Sequence, residues 1–365
     1  MNLHVFQERI CREFADARKS HQRIVIAVPT GGGKTVIAIH GLMPVLPHPV
    51  LWITHRRELR TQAKKHKALI EVQMVQSYRG GKFKAIIIDE AHHCSAEQYS
   101  LIFRENPSAV IVALTATPYR MDGVGLGSCG FTKIINGPST LELTKIGVLA
   151  PSITLVPKSE QSGSWTPSSS VLAIKARKFH KAIVYCRTVD DAVETARNLT
   201  IEGISASCIH GNTPADERER IERKFRSGKL RVLCNHTIFT EGYDLPEIDM
   251  VVLNRSTDSR CLWKQMAGRG LRRFPGKKRC IILDLAGNSV KHGNIYDTEI
   301  YSLDGSVESI VPTKRNFESE REATDYEYNN EEQLKIWKPQ PKPISIIESL
   351  HRLKSKSPLL RLKTA

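Results

Sequence analysis

Ile24-Val25-Ile26-Ala27-Val28-Pro29-Thr30-Gly31-Gly32-Gly33-Lys34-Thr35 is the stretch whose reading decides the fold. A β-branched apolar run without polar alternation marks a strand buried on both faces, the kind found in parallel sheets. The glycines, then Lys-Thr and a second apolar run (Val36-Ile37-Ala38-Ile39), predict that this strand feeds a helix N-terminus. Such a turn binds phosphate: glycine backbone lets N–H groups close around the oxygens, and the helix end adds partial positive charge. Thr30, Gly31, Gly32 and Gly33 form the cradle, Lys34 would reach the β- and γ-phosphates, and the Thr35 hydroxyl is placed to ligate Mg²⁺. Val28 stands where the general GxxxxGK[ST] pattern begins with Gly.

Working outward, Ala85-Ile86-Ile87-Ile88-Asp89-Glu90-Ala91-His92-His93 is a second apolar strand that ends in two carboxylates. Packing gives no reason for that ending, because an unpaired buried charge is costly. Metal and water chemistry does: Asp89 would hold Mg²⁺, and Glu90 would polarise a water for attack on the γ-phosphate.

With Leu114-Thr115-Ala116-Thr117-Pro118-Tyr119-Arg120 and Gln265-Met266-Ala267-Gly268-Arg269-Gly270-Leu271-Arg272 following in that order, the chain resembles superfamily-two helicases of the DEAD/DEAH type. It is most similar to the compact bacterial and phage members with a Thr-Ala-Thr-Pro-Tyr-Arg segment, over roughly residues 3 to 303. The resemblance implies an α/β fold of two tandem RecA-like domains with mainly parallel sheets, ATP hydrolysed between them, and a nucleic-acid partner, DNA by family habit. It also implies roles: Gln7 reads adenine, Thr115 and Thr117 relay the phosphate state, Gly242 and Asp244 touch the nucleotide, and Gln265 joins Glu90, Arg269 and Arg272 in catalysis. Thr54, Arg56, Ser77, Arg187, His210 and Thr240 fall where the family tracks the strand. The usual Arg-Pro-aromatic lead-in to the Gln is here His4-Val5-Phe6.

Composition agrees. A chain of 365 residues, 40% hydrophobic and 25% charged, suffices for two cores. A net charge of +16 suits a polyanionic partner without identifying it. No apolar run reaches membrane-spanning length, and Met1 opens into an amphipathic helix, so a cytoplasmic, monomeric protein without a membrane partner is expected. The eight cysteines form no CxxC pair and read as reduced packing residues.

Taken in order, the sequence predicts a first domain over 1–156, a linker over the Ser- and Pro-rich 157–174, a second domain over 175–303 and a charge-segregated, disordered or loosely docked tail over 304–365. A basic helix follows Thr54, and about ten residues separate Gln62 from the next strand, shorter than relatives allow. Thr213 as N-cap, Pro214 at N1 and Asp216 at N3 start a helix in the second domain. The strand 280–284 is expected to close the second sheet. Arg269 and Arg272, three apart, would share one helix face and act together on a transferring phosphoryl group; phosphate binding on the nucleic-acid face is the alternative. Two functions stay open: an ATP-driven helicase or translocase, and an ATP-switched nucleic-acid-binding protein with weak or lost unwinding. A small-molecule kinase does not account for the second αβ domain.

Overall fold

A computed structural model describes residues 3–54, 70–74, 78–93, 96–120, 123–156, 165–240, 245–310 and 316–317. The chain divides into two compact units, the first running to Ser139 and including Glu299–Ile310, the second centred on Thr140–Thr298.

In the first unit α1 (Val5–Ala17) precedes β1 (Arg23–Ala27), which runs through the Gly-rich turn into α2 (Lys34–Val36) and a π-helical segment, Ile37–Leu42. β2 (Val50–Thr54), β3 (Ile70–Met74), β4 (Ala85–Asp89), α3 (Ala96–Glu105), β5 (Val110–Thr115) and β6 (Lys133–Asn136) follow. The sheet order is β3-β2-β4-β5-β1-β6, and its registered pairs are parallel. Ile24, Val25, Ile26, Ile86, Ile87 and Ile88 are fully buried, as helices on both faces of a parallel sheet require. This order sets β4, β5 and β1 side by side, so the loops leaving their carboxyl ends share one edge, where open α/β sheets bind ligands.

The second unit contains α4 (Thr140–Lys145), β7 (Ser152–Leu155), α5 (Pro167–Lys175), β8 (Ala182–Cys186), α6 (Val189–Ile201), β9 (Ala206–Ile209), α7 (Ala215–Arg226) and β10 (Val232–Asn235). β11 (Met250–Asn254), α8 (Arg260–Gly268), β12 (Cys280–Asp284) and α9 (Asn288–His292) complete its core. β13 (Thr298–Tyr301) pairs with β14 (Val307–Ile310), and β15 (Asn316–Phe317) returns to the second sheet, whose order is β15-β7-β12-β11-β8-β10-β9. Among the described residues no helix is long and apolar enough to cross a membrane.

Five expectations are corrected. β7 pairs with β12, so the second unit begins near Thr140 rather than after 156, and β12 lies inside the sheet instead of closing it. The stretch 167–174, expected as linker, belongs to α5: Thr166 Oγ1 accepts from Ser169 N at 3.2 Å, Pro167 occupies the first turn, and Val171 and Ile174 enter the core. Residues 304–310, expected as tail, form part of the β13–β14 hairpin of the first unit, where Asn136 bonds both backbone groups of Tyr301 at 3.0 and 3.1 Å. Gly127 N also donates to Leu303 O, which gives the Gly-rich 123–130 stretch a packing role. Lastly, Thr213 Oγ1 accepts from His210 N and shapes the preceding turn, while Pro214 takes the N-cap position of α7.

Candidate functional site

Gly31 and Gly33 sit in left-handed backbone (φ +84° and +83°), which lets the chain fold back on itself between β1 and α2. A Cβ on Gly33 would lie 2.7 Å from Gln7 Nε2, so the buried Gln7 amide is packed against this turn. The other end of that amide, Oε1, accepts from His4 N at 3.0 Å in the cap of α1. Gln7 thus braces the loop with one end and its own helix with the other.

At the neighbouring strand end, Asp89 is buried and its Oδ1 accepts from Glu90 N at 3.1 Å. Glu90 itself has φ +49°, the only described non-glycine residue in the left-handed region. Such strain persists where the surroundings over-determine it. Its carboxylate faces Lys34, with Nζ to Oε1 3.5 Å, and His92, with Nδ1 to Oε2 3.8 Å. His92 Nδ1 is also 2.9 Å from Thr115 Oγ1. The Thr115 hydroxyl spends its one proton on Thr117 O (2.7 Å), so it accepts from His92, and the Nδ1–H form of His92 follows. Lys34, Glu90, His92, Thr115 and Thr117 therefore form one connected set along the sheet edge. The sequence gives His92 no role of its own; its contact with Thr115 depends on β4 lying beside β5, an adjacency that sequence does not display.

Loop glycines with open backbone, a lysine and a carboxylate converging on one another, and a second buried carboxylate beside them form a donor and acceptor set that fits a triphosphate and a divalent cation. Lys34 and the cradle would hold the triphosphate; Thr35 and Asp89 would hold the cation.

In the second unit the ends of β8, β10 and β9 carry Arg187, the turn Ile238–Thr240 and His210, so these three candidate strand-tracking positions share one edge. Arg187 Nε pairs with Asp191 at 3.1 Å and remains 43% exposed. Gln265 lies buried on α8, capped at its start by Ser259. The helix ends at Gly268, and Arg269–Leu271 make a tight 3-10 turn. Arg272 is extended (ψ 140°), so the two arginines do not share a helix face as expected; the buried Gly270 and Leu271 pull the chain out of α-helical register. Arg269 is only 6% exposed. Burial pushes the Tyr185 phenol well up, an effect partly offset by the charges of Arg269 and Arg272, and its hydroxyl donates to Phe239 O at 2.9 Å. Tyr185 thus sits amid the candidate catalytic arginines and the Ile238–Thr240 turn.

Thr54, expected to face a strand, is fully buried at the end of β2. The Tyr78 hydroxyl, after the candidate Ser77, accepts from Asn106 at 3.1 Å, and burial together with Glu105 pushes its pKa up to about 12. That phenol is half-buried and tied to Glu105 and Asn106. Arg56, Ser77, Gly242 and Asp244 lie outside the described residues, as does the basic helix expected after Thr54.

The family described as "Type III restriction enzyme, res subunit" matches residues 1–75 and 66–120, and "Helicase conserved C-terminal domain" matches 168–274, so each unit carries its own match in helicase order. The chain belongs to superfamily two of the helicases. A candidate mitochondrial ATP-dependent helicase, irc3, of Schizosaccharomyces pombe is 28% identical over 347 residues, covering 78% of this chain and 57% of that protein. The DNA 3'-5' translocase XPB2 of Sulfurisphaera tokodaii is 23% identical, covering 72% of this chain and 77% of its own. Among solved structures, a fragment of a candidate HsdR subunit of a type I restriction enzyme from Vibrio vulnificus YJ016 superposes with TM-score 0.62 at 20% identity, covering 85% of this chain and 71% of that one. The DNA-bound Type ISP restriction-modification enzyme LlaBIII gives 0.60 at 16% identity, covering 77% and 27%. These likenesses establish two RecA-like domains. The chain spans little more than half the length of irc3.

Proposed function

We propose that this superfamily-two helicase chain is a nucleic-acid-stimulated ATPase that translocates on or unwinds DNA. The observation that carries the reading is the connected set Lys34–Glu90–His92–Thr115 behind the Gly-rich turn. Each member has a task in hydrolysis. The loop amides and Lys34 bind the triphosphate tail, and Thr35 and Asp89 would hold Mg²⁺, which would offset charge on the phosphate oxygens. Glu90 orients the attacking water and accepts its proton, once Lys34 has turned from the carboxylate to phosphate. His92, fixed as a donor to Thr115, passes a shift of the Glu90 turn to the β5 end. Arg269 and Arg272 of the second unit supply planar N–H forks to the transferring group, and Gln265 assists them. Arg187, His210 and Thr240, with Arg56 and Ser77 on the other unit, hold the strand by its phosphates; Gly242 and Asp244 approach the nucleotide.

DNA rather than RNA is favoured by the translocase named above and by the DNA-bound structural neighbour. The test is ATP hydrolysis without polymer and with single-stranded DNA, duplex DNA and RNA at several salt concentrations. Stimulation by DNA, with affinity falling steeply as salt rises, is expected. A slow rate indifferent to every polymer would overturn the motor reading in favour of an ATP-switched binding protein. Arg269→Ala and Arg272→Ala should each lower stimulated turnover by about 10³-fold with little change in ATP affinity. Either variant losing strand affinity while keeping full turnover at saturating DNA would assign that residue to the strand track.

A further inference from the structure

Lys277 is a lysine with 6% exposure, buried six residues beyond a turn that the hydrolysis mechanism uses. Its ammonium has three N–H donors, and three backbone carbonyls receive them: Gly270 O at 2.5 Å, Arg272 O at 2.8 Å and Pro246 O at 3.3 Å. No carboxylate among the described residues pairs with it, and burial lowers its pKa. An ammonium taken from water costs free energy that an apolar side chain of similar length would not. Packing alone therefore gives no reason for a lysine here.

The carbonyls it binds give one. A helix end leaves its last carbonyls without intrahelical partners and carries partial negative charge. Past α8 the chain makes the 3-10 turn Arg269–Leu271 and then extends at Arg272, so the carbonyls of this turn have no further helical turn to donate to them either. Lys277 takes those of Gly270 and Arg272, and Ala150 N takes that of Leu271 at 2.8 Å, so three consecutive carbonyls are fixed from outside the turn. From the opposite side the turn is pressed on the sheet: a Cβ on Gly270 would stand 2.2 Å from Cys280 Sγ and 2.7 Å from Val251 Cγ2. Phe274-Pro275-Gly276, with Gly276 at φ +81°, folds the chain back so that Lys277 enters beneath the turn; Lys277 N donates to Phe274 O at 3.1 Å. The third carbonyl, Pro246, lies two residues after Asp244, so the same ammonium ties the arginine turn to the segment that follows Gly242 and Asp244.

We propose that Lys277 is a positioning residue for hydrolysis, whose ammonium sets the backbone from which Arg269 and Arg272 project and locks it to the Pro246 segment. This rests on the reading of the two arginines as groups that act on the transferring phosphoryl. A displacement of about 1 Å in such groups lowers turnover by on the order of 10²-fold. Lys277→Met should therefore reduce DNA-stimulated kcat by about 10²-fold with KM for ATP and DNA affinity within a few-fold of wild type, and Lys277→Arg, which keeps a cation, should recover part of the loss.

A double-mutant cycle separates positioning from general support. In an Arg269→Ala/Arg272→Ala background, Lys277→Met should cost little further turnover, because both groups it positions have gone. Equal losses of kcat in both backgrounds, or wild-type kcat in folded Lys277→Met, would overturn the proposal. Should Lys277→Met fail to fold, Lys277→Arg enters the same cycle. Its planar fork cannot match three carbonyls converging on one point, so a loss of about tenfold that vanishes beside Arg269→Ala/Arg272→Ala is expected, and wild-type turnover refutes the assignment. Unchanged kcat in Arg269→Ala and Arg272→Ala alone would instead remove the arginine reading itself, a result distinguishable from failure of Lys277→Met in a protein whose arginine variants are slow.

Discussion

Glu90→Gln is the substitution for which the structure predicts two opposite effects. Glu90 Oε1 and Lys34 Nζ are 3.5 Å apart, and their side chains keep 15% and 10% of their exposure. At that distance the Coulomb term is about 5 kcal/mol for an effective dielectric of 20. Desolvation of the two groups offsets most of it, leaving roughly 1–2 kcal/mol net. ATP binding must give up this pair, because the same ammonium is needed on phosphate. Neutralising Glu90 removes the competitor, so Glu90→Gln should bind ATP tighter by roughly 5- to 30-fold, while hydrolysis falls because an amide cannot take the proton from water. Lys34→Ala should do the reverse to binding and also abolish turnover.

Titration with a fluorescent ATP analogue gives the affinities, and phosphate release under saturating ATP and DNA gives the turnover. Wild-type hydrolysis by Glu90→Gln would remove Glu90 from the chemistry. Lost hydrolysis with unchanged affinity would leave Glu90 as the base but show that its contact with Lys34 does not oppose nucleotide.

Gly33→Ala should cost about 1–3 kcal/mol of first-unit stability and weaken ATP binding, since an L residue at φ +83° is strained and its Cβ meets Gln7 Nε2 at 2.7 Å; an unchanged denaturation midpoint with unchanged affinity would contradict this. Burial pushes the thiols of Cys186 and Cys280 up to about 12 and that of Cys208 to about 11, so native protein should resist iodoacetamide at these positions at pH 9 and label only after denaturation. Because these folded-state values lie above the ordinary thiol value of 9.0, their contribution to stability is complete below pH 9 and is lost as pH rises toward 12; a denaturation midpoint flat across that range would argue against it.

Sequence made the chemistry-bearing loops legible because each requires a residue type that packing does not. Lys34, Asp89, Glu90 and the glycines at 31 and 33 stand out for that reason, and the apolar runs before them identify their strands. Adjacency was less legible. The contact of His92 with Thr115 follows from β4 lying beside β5, and β7 joins the second sheet although it precedes a Ser- and Pro-rich stretch. Composition misled at 167–174, where Thr166-Pro167 starts a capped helix whose serines face outward or bond back to Thr166. The hairpin residues 304–310 read as tail in the sequence because the pairing surface of the hairpin, Asn136 and Gly127, lies more than 160 residues earlier. Lys277 was invisible for a related reason: among Lys and Arg neighbours a buried lysine resembles a solvated one, and only its three carbonyl partners set it apart.

The one departure in the phosphate loop, Val28 in place of the first glycine, has a physical explanation that runs through the same sheet. Val28 is fully buried and continues β1 by donating its N–H to Thr115 O at 2.9 Å, a conformation open to any L residue. The small residue that close packing needs is supplied instead by the segment after the neighbouring strand, β6. Gly137, just after β6, donates to Ala27 O at 2.7 Å, and a Cβ there would lie 2.9 Å from Val28 Cγ2 and 2.7 Å from Ala27 O. Gly137 thus fills against Val28 the space that a larger pair could not share. The positions where positive φ leaves little choice, Gly31 and Gly33, keep glycine, so the loop retains the two left-handed residues that the proposed phosphate binding needs while the strand before it gains a β-branched side chain for its core.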